Sequence, residues 1–223
     1  MRHKRFLYTI CSVMILMLTG ASAIADHKQS IRKYAVTITN ITRGQIFSPP
    51  IVISHGRDYR LFTLGHSASP ELAALAEDGL TDPLKDVIAG LPYVFDHAVA
   101  AGPVIPGDSV SLEITARRGS SFISVAGMLV RTNDAFFAVR GLRTRPWGKV
   151  ATKAKAYDAG SETNSEDCDY IPGPPCGNPG VRDTDSSEGY VHIHAGIHGL
   201  ADLDPSKHDW RNPVAAITVR PVY

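Results

Sequence analysis

Between Ser109 and Thr115 the chain alternates polar and apolar residues without a break, as Ser-Val-Ser-Leu-Glu-Ile-Thr. Successive side chains on a β-strand point to opposite faces, so a period of two puts Val110, Leu112 and Ile114 on one face. A helix would scatter the same residues around its circumference. Residues 34–42, Tyr-Ala-Val-Thr-Ile-Thr-Asn-Ile-Thr, alternate in the same way, and both runs predict half-buried strands. Residues 122–130 are more continuously apolar, which suits a central strand. Residues 45–54 read as extended, with Pro49 and Pro50 confining that piece to an edge or a loop. Further extended pieces are expected at 60–64, 136–142, 190–197 and 214–222, while 149–157 leads into an acidic stretch. The period changes once. Ser69 precedes Pro70 as a helix cap, Leu72, Leu75 and Ala76 fall at helical spacing, and Gly79 ends the run; a second helical patch runs over 82–91. These helices do not recur between successive strands, so they are insertions rather than crossovers. The expected fold is all-β: an antiparallel β-sandwich of about eight strands, with short helical insertions and long loops. No internal repeat is visible, and residues 34–223 read as one domain.

The first residues set the expected compartment. Arg2, His3, Lys4 and Arg5 precede an apolar run over 6–18, and Ala21-Ser22-Ala23 or Ala23-Ile24-Ala25 supplies a small-x-small cleavage pattern. Residues 1–25 are therefore expected to be an export signal, and 26–33 a polar, mobile leader. The apolar run falls short of the ~20 residues a membrane span needs. No other segment reads as membrane-crossing, so the mature protein is expected to be secreted or periplasmic. Cys11 leaves with the signal. Cys168 and Cys176 remain, and in an oxidising compartment an even pair predicts a disulfide. The formal net charge is +1, and Lys and Arg are scattered rather than clustered, which argues against a nucleic-acid partner.

Residues 156–169 place five acidic side chains, Asp158, Glu162, Glu166, Asp167 and Asp169, in a turn-forming segment containing Gly160, Ser161 and Asn164. Converging carboxylates suit a hard divalent cation such as calcium. The same composition suits a solvated acidic loop.

Several fragments in order carry a resemblance. They are residues 34–40 with Phe47-Ser48-Pro49-Pro50, then Gly65-His66-Ser67-Ala68-Ser69 with Leu75-Ala76-Glu77-Asp78-Gly79. Asn133-Asp134-Ala135-Phe136-Phe137-Ala138-Val139 and Tyr157-Asp158-Ala159-Gly160 follow. In these the chain resembles the spondin N-terminal domain family, whose fold is an antiparallel sandwich similar to a C2 domain. The resemblance implies a secreted, non-enzymatic binding module with one divalent-cation site, usually calcium, at one end of the sandwich. There the cation would organise loops for contact with a protein or cell-surface partner. Asp158 matches the aspartate of the Tyr-Asp-Ala-Gly motif, and Asp134 the aspartate before the aromatic strand. Glu113 matches an acidic ligand on the preceding strand, and Glu162 stands where the family has aspartate. Ala135 replaces the tryptophan of the animal members, and Arg140 stands near their missing second aspartate, so their adhesion roles are not carried over. On the residues alone, Glu113 and Asp134 flank the 122–130 strand, and two adjacent antiparallel strands would bring them to one end.

A second constellation competes. His192, His194 and His198 form His-x-His-x-x-x-His, and residues two apart on a strand share a face, which suits zinc or copper. His66 and His208 are further candidate ligands. Histidines on half-exposed strands are also ordinary polar residues. No Gly-x-Ser-x-Gly elbow, phosphate-binding glycine loop or His-Glu-x-x-His is present, so no enzyme class is indicated.

Overall fold

A computed structural model describes residues 30–117 and 121–223. The expected export signal, with Cys11 and its cleavage motifs, lies outside the described residues, as do residues 26–29 and 118–120. Residues 31–33, expected in a mobile leader, instead open the first strand. β1 (Ile31–Asn40) pairs along its length with β4 (Ser109–Arg117), from Ile31↔Arg117 to Thr39↔Ser109.

The other strands are β2 (Ile51–His55), β3 (Val94–Val99), β5 (Phe122–Met128), β6 (Ala135–Arg143), β7 (Val150–Asp158), β8 (His192–Ile193) and β9 (Ala215–Pro221). All pairings are antiparallel, in the order β3-β2-β5-β6-β7-β9-β1-β4. The all-β class read from the alternation is the observed one. β7 is the hinge of the architecture. Its first half, Val150 to Ala154, pairs with β9, and its second half, Lys155 to Asp158, pairs with β6. One strand thus serves two sheets, as at the corner of a sandwich. The two outer strands come back together: Thr115 donates its N–H to Asp96 Oδ2 (2.7 Å), and Ser54 Oγ donates to the Thr115 carbonyl (2.5 Å). Both edges are thereby pinned rather than left open for a passing strand.

Tyr34, Val36, Ile38, Ile114, Val125, Phe137 and Ile217 fill the space between the two sheets. A second cluster lies on the outer face of β2, β5 and β6, where Ile51, Ile53, Ala126 and Phe136 meet the helices. These are α1 (Pro70–Asp78) and α2 (Asp82–Ala89), which contribute Leu72, Leu75, Leu84 and Ile88. The Ser69 hydroxyl accepts the Leu72 N–H (3.4 Å) as the cap predicts. Burial on both faces explains why β2 and β5 read as apolar runs rather than alternating ones.

Three details differ from expectation. Residues 60–64 form no strand; Leu61 and Phe62 are buried as irregular chain beside the helices. Of 190–197 only His192 and Ile193 are strand. β3 was not visible in sequence, because all six of its residues are half-buried and no period survives. A short helix α3 (Pro205–His208) is capped by Asp204, and Cys168 and Cys176 are disulfide-bonded. Among the described residues no helix is long and apolar enough to cross a membrane.

Candidate metal centre

The register of β7 assembles the site. Asp158, the last residue of β7, stands opposite Ala135 on one side and opposite His192 on the other. Asp134 directly precedes Ala135 and is fixed to the same corner, its carbonyl accepting the Ala159 N–H (3.2 Å). The turn after β7 depends on Gly160, with φ +66°; a Cβ there would sit 2.3 Å from the Tyr190 carbonyl oxygen. Only glycine permits that approach. The Gly160 carbonyl accepts the Gly189 N–H (2.8 Å), which clamps the segment carrying Glu188 and His192 against Asp158.

Asp158 is buried. Its Oδ1 accepts the Gly160 N–H and its Oδ2 the Asn164 side-chain N–H, each at 2.7 Å. His192 Nε2 lies 3.6 Å from Asp158 Oδ1 and 3.8 Å from Glu188 Oε1, too far to hydrogen-bond, and has no other partner. One ligand atom from each of Asp158, Glu188 and His192 lies within 4.8 Å of the others. These three residues, with His194 and His198, line a cavity of about 210 Å³. A group of Asp, Glu and His that could hold a metal ion is therefore present, with Asp158 buried, His192 half-buried and Glu188 exposed.

The two imidazoles, His192 half-buried and His194 buried, are not equivalent. His192 Nδ1 is 3.1 Å from the Ile193 carbonyl and donates to it, so in the neutral ring the Nε2 lone pair points toward the carboxylates. That is how a metal-ligating histidine is oriented. His194 Nδ1 accepts the Gly196 N–H at 2.9 Å, so in the neutral ring the proton sits on Nε2, 3.9 Å from Asp158 Oδ2. Burial, then the neighbouring His192 and His198, push its pKa down to about 3, so the ring is neutral. His194 is a wall of the cavity, packed on Trp210, rather than a ready ligand. His198 is exposed at the mouth.

The acidic residues separate in the same way. Burial raises the Asp158 carboxyl above its ordinary value, opposed by the Asn164 hydrogen bond. Burial and then the Asp158 charge raise Asp134 to about 7. Its Oδ2 accepts N–H groups of Ser161 (2.8 Å) and Glu162 (3.0 Å), while the buried Oδ1 has no partner. Glu162 joins Asp134 only through its backbone. Its carboxylate turns away to Arg182 Nε at 3.0 Å, an ionic contact off the N–H direction, because that N–H donates to Glu77 (2.5 Å). Burial first, with Arg182 opposing, lifts Glu162 to about 9. Glu166 takes the N–H groups of His198 (2.5 Å), Gly199 (2.6 Å) and Leu200 (2.9 Å), and Asp167 caps the turn at Cys168–Tyr170.

Glu113 is not brought to this corner. It lies exposed on β4, 3.6 Å from Lys33. The expectation placed β4 beside β5, whereas β4 pairs with β1 in the other sheet. Glu188 was missed in sequence, since only the Gly160–Tyr190 clamp brings it to Asp158. His66 and His208 are outside the three-residue group. Comparison of the sequence with protein-family models and with curated proteins finds no match in either.

Proposed function

We propose that the protein is an exported, non-catalytic binding module of the spondin type. In this reading Asp158, Glu188 and His192 hold one divalent ion that ties the loop around Glu188 to the end of the sandwich for contact with a protein or cell surface. The observation that carries it is the buried His192 Nε2, which has no hydrogen-bond partner and two carboxylates in reach. An imidazole in the donor set favours zinc or a neighbouring first-row ion over calcium. One observation supports the calcium alternative: the buried Asp134 Oδ1 lacks a donor beside Asp158 and suits a hard cation.

Thermal unfolding of mature, tag-free protein tests the reading, first stripped of metal, then with zinc or calcium. Zinc at about 100 times its dissociation constant is expected to stabilise by roughly 2.7 kcal/mol, raising Tm by about 5–10 °C. His192→Ala is expected to abolish the shift and His194→Gln to leave most of it. A shift with calcium alone, lost in Asp134→Asn and kept in His192→Ala, moves the ion to the oxygen-only position. No shift with either ion ends the metal reading.

A further inference from the structure

A second cavity, of about 350 Å³, lies where β2 finishes and β5 begins. Arg140, on its rim, stands five residues along β6 from Ala135, the partner of Asp158. That is about 16 Å at roughly 3.3 Å per residue, so the cavity is separate from the metal corner. Arg57 and Arg60 complete the rim. Among the described residues these three guanidiniums have no carboxylate partner, although Asp58 lies between two of them in sequence. In a chain of net charge +1, three unpaired arginines around one opening are a local excess of positive charge.

The walls and floor are built rather than incidental. The Arg140 guanidinium lies 4.7 Å from the Phe62 ring centre, and Tyr59 and Phe122 add two more aromatic walls. Two β-bulges flank the opening. Between β5 and β6, Ser124 alone faces both Arg140 and Gly141, and between β2 and β3 the register slips at Ser54/His55. Gly141 takes the left-handed conformation that such a bulge needs, with φ +75°. The bulge turns its N–H onto Ser124 Oγ (3.0 Å). His55 Nδ1 contacts the Gly56 carbonyl at 2.7 Å and so donates to it, leaving Nε2 to accept the Ser124 hydroxyl (2.8 Å). Ser124 is 1% exposed and its oxygen is already engaged, so this pair forms a satisfied floor rather than a reactive nucleophile. A floor with no spare donor leaves recognition of any charge to the arginines.

We propose that this cavity binds a small organic anion: an oxyanion held by Arg57, Arg60 and Arg140, on a flat apolar body packed against Tyr59, Phe62 and Phe122. Guanidinium forks match carboxylate and phosphate oxygens, and aromatic walls suit a ring.

The test titrates phenyl phosphate and benzoate into metal-stripped protein, with benzyl alcohol as the uncharged control and amide chemical shifts as the readout. At least one anion is expected to bind at roughly millimolar or tighter and to move the Gly56 and Gly141 amides. Arg57→Gln with Arg60→Gln, both on exposed chain, is expected to weaken it about tenfold or more at unchanged Tm. Which anion binds more tightly assigns the headgroup. Equal affinity in the double variant, benzyl alcohol binding as well as the anions, or no anion binding in the millimolar range would overturn the proposal. Because no metal is present, none of these outcomes depends on the Asp158 site.

Discussion

The two sides of the turn after β7 handle clustered carboxylates differently. On one side Glu162 meets Glu77 and Asp78 from the end of α1, and Arg182 reaches all three. That side carries its own cation, and burial, opposed by Arg182, raises the Glu162 carboxyl to about 9. On the other side Asp158 and Glu188 face His192 Nε2, and among the described residues no Lys or Arg is in ion-pair reach of either. The resemblance read both sides as one cation site. Geometry divides them into a clasp that is complete within the chain and a corner whose charge a ligand would complete. An internal guanidinium completes the charge on one side, and on the other that place is open to the ion proposed above.

Removing the internal cation should break the contrast with the largest effect. Arg182→Met leaves the half-buried carboxylates Glu77 and Asp78 without their cation; breaking a fully buried pair from one side costs about 3–5 kcal/mol, which is the upper limit here. Urea unfolding at neutral pH is expected to show a loss of up to that size. Glu162→Gln in the same background should recover little, because Glu162 is already neutral there. A large recovery would mean that Glu162 carries charge and that Arg182 stands in for a cation on it.

How much of this was legible depends on whether the information was local. Ser69, Pro70 and Gly79 announced α1, because caps act within one turn. The alternation over Ser109 to Thr115 announced β4, because one face meets the core and the other meets water. The pairing Asp158↔His192 was not legible. β8 is two residues long, and its register is set by the close approach at Gly160, 32 positions before His192. Asp158 and the His192 strand were both picked out by residue chemistry, but as rivals, since sequence spacing does not reveal that they share a corner. Glu113 failed for the converse reason: β4 and β5 are successive in the chain yet lie in different sheets.

A pH series sharpens the comparison on the open side, with a somewhat smaller effect. Asp134 has its folded value raised from 3.8 to about 7, first by burial and then by Asp158. The folded state therefore binds the extra proton. The stability this contributes is complete below the ordinary carboxylate value and is lost as pH rises through about 7. Metal-free protein is expected to lose stability across that window, by about 4 kcal/mol at the upper limit from Asp134 alone. Asp134→Asn, which cannot ionise, should flatten the slope, and saturating zinc should do the same by neutralising Asp158. An unchanged slope in Asp134→Asn would show that this carboxyl titrates normally and that the open side is not short of positive charge.

The smallest effect belongs to the acid that the fold sets apart. Glu113 and Lys33 are an exposed cross-strand pair, with 60% and 65% of their side chains open to solvent. Such pairs contribute less than about 1 kcal/mol and fade with salt. Glu113→Gln is expected to shift the urea midpoint barely and to leave the zinc-induced rise in Tm intact. A lost metal response in Glu113→Gln would mean that β4 reaches the Asp158 corner, a neighbourhood that the strand order β9-β1-β4 denies it. Glu113 is therefore the control that separates a buried, oriented carboxylate from one that merely shares its chemistry.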